Sequence, residues 1–186
     1  MTQFHYKSAF EHMPQDELDK WLNFNHTRLI GSAIFTCQDT LTSKLVRWGE
    51  RHLFAKVPEA QKFVPSHTGS IIEYAGKLHI FDMKPLRASV QPLDEYLLNT
   101  DEDYCLVMRD FPLDTQMFSL NLQFHIGDWY PYMSALRSVF TKFQTKNARH
   151  CSEMHLRELQ KQGMFKDINS EITPDELLHV LIGGKK

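Results

Sequence analysis

The sequence predicts one α+β domain over residues 1–186, an antiparallel sheet packed against helices. Two observations carry this expectation. Within Val64–Met83, two runs of β-forming residues, Thr68–Tyr74 and Lys77–Met83, flank Ala75-Gly76, the right length for a hairpin loop. Around the hairpin lie segments whose apolar residues recur at helical spacing, several with recognisable start or stop signals. The length suits a single substantial core, and no repeat, low-complexity tract or long linker divides the chain.

In chain order, Pro14–Phe24 reads as a short amphipathic helix. Pro14 suits the first turn, Asp16, Glu17 and Asp19 complement the positive end, and Leu18, Trp21 and Leu22 form the apolar stripe. Leu29–Thr36 reads as a strand entered through Gly31-Ser32. Ser43–Phe54 reads as a helix anchored by Leu45, Val46, Trp48 and Leu53. After the hairpin, the acidic turn Asp101-Glu102-Asp103 leads into a strand over Tyr104–Arg109. Ser119–His125 fits a strand or a helical turn equally well. Pro131–Phe143 reads as a helix with Met133, Leu136, Val139, Phe140 and Phe143 on its apolar side. Cys151–Gln162 reads as a helix stopped by Gly163. Thr173-Pro174-Asp175-Glu176 opens a last short helix, with Thr173 as cap, Pro174 as first helical residue and Glu176 completing a capping box.

A net charge of −2 gives no electrostatic reason to expect nucleic acid or an anionic membrane as partner. No apolar run approaches the ~20 residues of a membrane span, and Met1–Asp19 lacks the apolar core of a secretory signal. The three cysteines, Cys37, Cys105 and Cys151, are odd in number and irregularly spaced, which argues for reduced thiols and a cytoplasmic location. His150, Cys151 and His155 match no common zinc spacing, and no second ligand pair follows, so no metal is expected. Gly183-Gly184-Lys185-Lys186 precedes no helix and is not a phosphate loop; no cofactor is expected. Trp21, Trp48, Trp129 and the thirteen phenylalanines are assigned mainly to the core, with some available to line an apolar groove.

The chemistry-bearing residues are Cys151, His67 and Asp82. A cysteine that opens a helix meets free backbone N–H groups and a partial positive charge, both of which favour thiolate over thiol. His67, at the start of a predicted strand, is the candidate base. With Ala75-Gly76 as a two-residue turn, Tyr74 pairs with Lys77 and paired positions sum to 151. Asp82 then faces Gly69 and lies on the same side of the sheet as His67, one step away on the diagonal, whereas His79 falls on the opposite face. Gly69 is expected to leave room for the imidazole. The implied triad has Cys151 as nucleophile, His67 as general base and acid, and Asp82 as the group that orients the ring. The Cys151 backbone N–H is a candidate oxyanion donor. Cys37 and Cys105 read as apolar filler.

These residues sit in blocks that resemble a known group, the circularly permuted NlpC-related papain-like cysteine hydrolases of the YiiX/YaeF kind. Gly31-Ser32-Ala33-Ile34-Phe35, Ser43–Trp48 and Ser66-His67-Thr68-Gly69-Ser70-Ile71-Ile72 are similar to the opening strand, a helix and the strand of the catalytic histidine. Ile80-Phe81-Asp82, with Val90–Tyr96, resembles the strand of the acidic third residue. His150-Cys151-Ser152-Glu153-Met154 and Ile172-Thr173-Pro174-Asp175-Glu176-Leu177 resemble the nucleophile helix and the stretch that follows it. The chain departs from the family at Ser32, where Asp is common, at Asp82, where Glu is frequent, and at His150, where Tyr often stands; Tyr130 is similar to a family tyrosine further upstream.

The resemblance implies a permuted papain-like domain with a small barrel-like antiparallel sheet. Residues 29–178 would form its catalytic core and residues 1–28 an N-terminal helical extension. It further implies hydrolysis of an amide, ester or thioester through an acyl-enzyme. Compatible substrates are peptide-like, cell-wall or acyl-lipid compounds. The alternatives are acyl transfer to an acceptor other than water and a non-catalytic binding or structural accessory on the same fold.

Overall fold

A computed structural model describes residues 3–37, 63, 65–83, 87–128 and 151–183. The expected helices Ser43–Phe54 and Pro131–Phe143 lie outside the described residues, as do Trp48, Trp129, Tyr130, His150, most of the insert Ala55–Pro65 and the last three residues of the chain. The described elements are β1 (Gln3–Tyr6), α1 (Gln15–Leu29), β2 (Ala33–Cys37), β3 (His67–Tyr74), β4 (Lys77–Met83), β5 (Ala88–Pro92), α2 (Leu93–Asn99), β6 (Asp103–Met108), α3 (Thr115–Gln123), α4 (Cys151–Lys161) and α5 (Pro174–Leu181). The class is α+β. Six antiparallel strands form one sheet in the order β1-β6-β2-β3-β4-β5.

The hairpin has the register its sequence dictates. Tyr74 pairs with Lys77 and Ser70 with Phe81. Ala75 and Gly76 both take positive φ, 50° and 74°. That combination is the two-residue turn whose twist matches paired strands, and it costs least where one of the two residues is glycine. The consecutive residues Ile71 and Ile72 are both 0% exposed, so both faces of the sheet are covered at its centre. Helix α4 rests on the face of β3 that carries Ser70, to which His155 bonds. Helix α2 lies on the other face, where the Tyr104 hydroxyl donates to the Leu97 carbonyl.

Several elements exceed what the sequence indicates. The first 28 residues supply more than a helical extension: Gln3–Tyr6 forms an edge strand beside β6. Helix α1 runs on past Phe24 to Leu29. Its end is held by Arg109, which donates to the carbonyls of Ile30 and Thr27, each at 2.6 Å, so a cation meets the negative helix terminus. The ambiguous Ser119–His125 stretch belongs to helix α3 and the turn after it; Asp114 caps this helix by accepting from the Met117 N–H. Thr173 and Glu176 form the expected reciprocal capping box of α5. No helix of the described residues is long and apolar enough to cross a membrane.

Gly69 has a role other than the one expected. The space above it is taken by Ile80, whose Cγ2 would stand 2.7 Å from a Cβ at position 69, and not by the imidazole. Ile80 is β-branched and stiff, so it cannot swing clear. Gly69→Ala is therefore expected to destabilise the fold by ~1–3 kcal/mol through overpacking. Adding Ile80→Ala should relieve part of that strain. Denaturant unfolding of the single and double variants reads both effects, and an unchanged midpoint for Gly69→Ala contradicts the packing argument.

Candidate active site

Three elements meet where β3 begins. His67 is the first residue of that strand, Asp82 lies on β4 and Cys151 is the first described residue of α4. The antiparallel ladder puts Asp82 diagonally across from His67, and its Oδ1 is hydrogen-bonded to His67 Nε2. An ionised carboxylate only accepts, so Nε2 carries the proton and donates it. That leaves Nδ1 to face the thiol, and His67 and Cys151 are indeed linked by a side-chain hydrogen bond. The Cys151 sulfur also accepts from the Thr68 backbone N–H. The Cys151 residue is 7% exposed and Asp82 8%, so the group is largely shielded from water.

The electrostatics follow from this placement. Burial alone disfavours the imidazolium, but the Cys151 thiolate and the Asp82 carboxylate, each with a hydrogen bond, outweigh it and hold His67 well above its ordinary value. Burial likewise pushes the Cys151 thiol up. The adjacent imidazolium, its hydrogen bond and the Thr68 N–H more than offset this, and the thiol ends below its ordinary value even though Asp82 opposes the shift. The two shifts run toward each other, each group favouring the charged form of its partner. Cys105 shows the opposite outcome for the same residue type. It is buried in the sheet beside Tyr6, and burial pushes its thiol up to about 11.

His79 takes no part in this group. Its Nδ1 lies 3.1 Å from the Lys77 carbonyl oxygen and its ring packs edge-on against Tyr74, on the face opposite Asp82. His155, considered above with Cys151 and His150 as a metal ligand, turns toward Ser70. Sequence reasoning missed two contributors. One is the Thr68 N–H, a backbone donor that no side-chain pattern reveals. The other is the layer behind Asp82, where a narrow cavity beside the His67–Asp82 pair is bounded by Ile34, Thr36, Ile80, Tyr96 and Glu102. There the Tyr96 hydroxyl donates to Glu102 at 3.3 Å. Burial, then the Glu102 and Asp82 charges, raise the Tyr96 pKa and keep it a donor. The aromatic at position 96 and the acidic turn at 101–103 were visible in the sequence; their convergence on Asp82 was not.

Two outcomes follow from the charges. Alkylation by iodoacetamide near neutral pH should reach Cys151 before Cys37 or Cys105, with an onset below that of an ordinary thiol, because more of it is thiolate at a given pH. Peptide mass mapping over time reads the order, and equal or faster labelling of either other cysteine contradicts it. Asp82→Asn removes a charge that favours the imidazolium, so the His67 ring should lose its proton at lower pH. NMR titration of the ring measures this, and an unmoved midpoint contradicts the assigned role. Compared with known proteins, the chain matches no family model and no curated protein.

Proposed function

We propose that this protein is a cysteine hydrolase of the permuted papain-like class, acting through Cys151, His67 and Asp82 and an acyl-enzyme intermediate. The observation that carries the reading is a thiol on helix α4, hydrogen-bonded to an imidazole whose other nitrogen is bound to a carboxylate. That order of contacts gives each group one task. The Cys151 thiolate attacks a carbonyl carbon, the new C–S bond forms, and the carbonyl electron pair moves onto oxygen. The oxyanion is met by the Cys151 backbone N–H. As the intermediate collapses, the amine or alcohol leaves with the proton from His67 Nδ1, and the thioester remains on Cys151. The neutral ring then takes a proton from water, whose oxygen attacks the thioester and releases the acid and the thiolate. Asp82 holds the ring by Nε2 throughout and stabilises each charged state. A positioned acid–base group of this kind contributes ~10²–10⁴-fold in rate.

The reaction class sets the substrate chemistry: an amide, ester or thioester, including peptide-like, cell-wall or acyl-lipid compounds. The papain-like assignment rests on the resemblance of the motifs, with the histidine strand before the nucleophile helix in chain order. The low exposure of Cys151 favours a second reading, a non-catalytic accessory on the same fold. The lowered thiol value favours the enzyme, since an inert buried thiol is shifted the other way, as Cys105 is.

A panel of electrophilic acyl probes, with mass-spectrometric mapping of the modified residue, tests the proposal. Labelling is expected at Cys151. Cys151→Ala should remain folded and lose the labelling. Undiminished labelling of that variant would eliminate Cys151 as the nucleophile, and a panel that labels nothing in the folded wild type would favour the accessory reading.

A further inference from the structure

Helix α4 carries a second buried polar side chain one turn beyond the thiol. His155 is 0% exposed, and its Nδ1 lies 2.8 Å from the hydroxyl oxygen of Ser70, itself 3% exposed. Phe118 of α3 packs edge-on against the same ring at 5.6 Å. Nε2 has no hydrogen-bond partner among the described residues. Burial pushes the His155 pKa down to about 4, so the ring is neutral at neutral pH and adds no charge beside the Cys151–His67 pair. A leucine would fill such a position without the cost of burying an imidazole and a hydroxyl. What the polar pair supplies and an apolar contact does not is direction: it admits one advance and one rotation of the helix on the strand.

The spacing makes that direction useful. Helix α4 is linked to β3 at two levels, at Cys151 by His67 and the Thr68 N–H and at His155 by Ser70. Residues 68 and 70 are ~6.6 Å apart along a strand, and residues 151 and 155 are ~6 Å apart along a helix. The two links therefore form rungs of nearly equal spacing, and fixing one fixes the other. We propose that the Ser70–His155 hydrogen bond sets the register of the nucleophile helix on the histidine strand, making Ser70 and His155 positioning residues for Cys151. The proposal rests on the reading of Cys151 as a nucleophile activated by His67. With the inner rung gone, α4 is free to shift, the thiol draws away from the imidazole and the Thr68 N–H, and its value returns toward that of an ordinary cysteine.

The test is the pH dependence of Cys151 alkylation by iodoacetamide, measured for the wild type, Ser70→Ala, His155→Phe and His155→Asn, with thermal unfolding recorded for each. Ser70→Ala and His155→Phe are expected to unfold cooperatively and to titrate Cys151 about one pH unit higher, which slows its alkylation by up to about tenfold at pH values below the wild-type midpoint. His155→Asn, whose side-chain amide reaches Ser70 from near the Nδ1 position, is expected to restore most of the wild-type midpoint. A purely structural pair would lower the unfolding temperature and leave the thiol midpoint where it was. Folded Ser70→Ala or His155→Phe with an unmoved midpoint overturns the proposal, as does His155→Asn behaving like His155→Phe. Failure of both Ser70→Ala and His155→Phe to fold overturns it too, because the pair would then hold the fold and not the thiol. A wild-type Cys151 that titrates as an ordinary thiol overturns the nucleophile reading itself, a result separate from all of these.

Discussion

The register of the β3–β4 hairpin is the constraint on which the site depends. Side chains alternate faces with a period of two, so a slip of one residue would carry Asp82 to the opposite side of the sheet and leave the apolar Phe81 and Met83 nearest His67. Nothing in the chemistry of the two residues prevents this; the turn does. With positive φ at both Ala75 and Gly76, the loop closes on two residues and admits one pairing. Ile80 reinforces the choice by filling the space above Gly69, which a shifted strand would leave to a different side chain. A catalytic-type geometry is thus built from a local turn and a missing Cβ before any charge is considered.

The charges then act in surroundings that would oppose each of them singly. A lone buried thiolate or imidazolium is unfavourable, and the contrast between Cys105 and Cys151 shows how far partners decide the outcome. Both thiols lie within the fold. One sits in the sheet beside a phenol and is held neutral; the other has an imidazole and a backbone N–H and is pushed toward the anion. Tyr96 and Glu102 extend the same logic one layer back, keeping polar groups around Asp82 where apolar packing would have raised the cost of its charge.

The parts of this arrangement that were legible in the sequence are the local ones. The hairpin register follows from four consecutive residues, Tyr74 to Lys77, and the selection of Asp82 over His79 follows from that register. The capping box at Thr173 is likewise written within one turn. What escaped depends on distant partners. Gln3–Tyr6 carries no strong strand signal and becomes a strand only because β6 accepts it. The end of α1 is decided by Arg109, about eighty residues downstream, through its bonds to Ile30 and Thr27. Ser70 was one residue within the histidine strand's block, and His155 one of three side chains weighed as metal ligands. Only packing α4 onto β3 shows them to be one unit. The helix over Thr115–Gln123 was the exception, since Asp114 announced it locally and was overlooked.

The strand order also sets a schedule for assembly. β6 occupies the place between β1 and β2, yet it follows β2 by more than sixty residues in the chain. During synthesis from the amino end, β1 and one side of β2 emerge with their backbone groups unsatisfied and wait for a partner that does not yet exist. The β2–β3–β4 section pairs with neighbours already made, so it is the natural first product. The interval before Asp103–Met108 leaves the ribosome is when this polypeptide most needs shielding from other nascent chains.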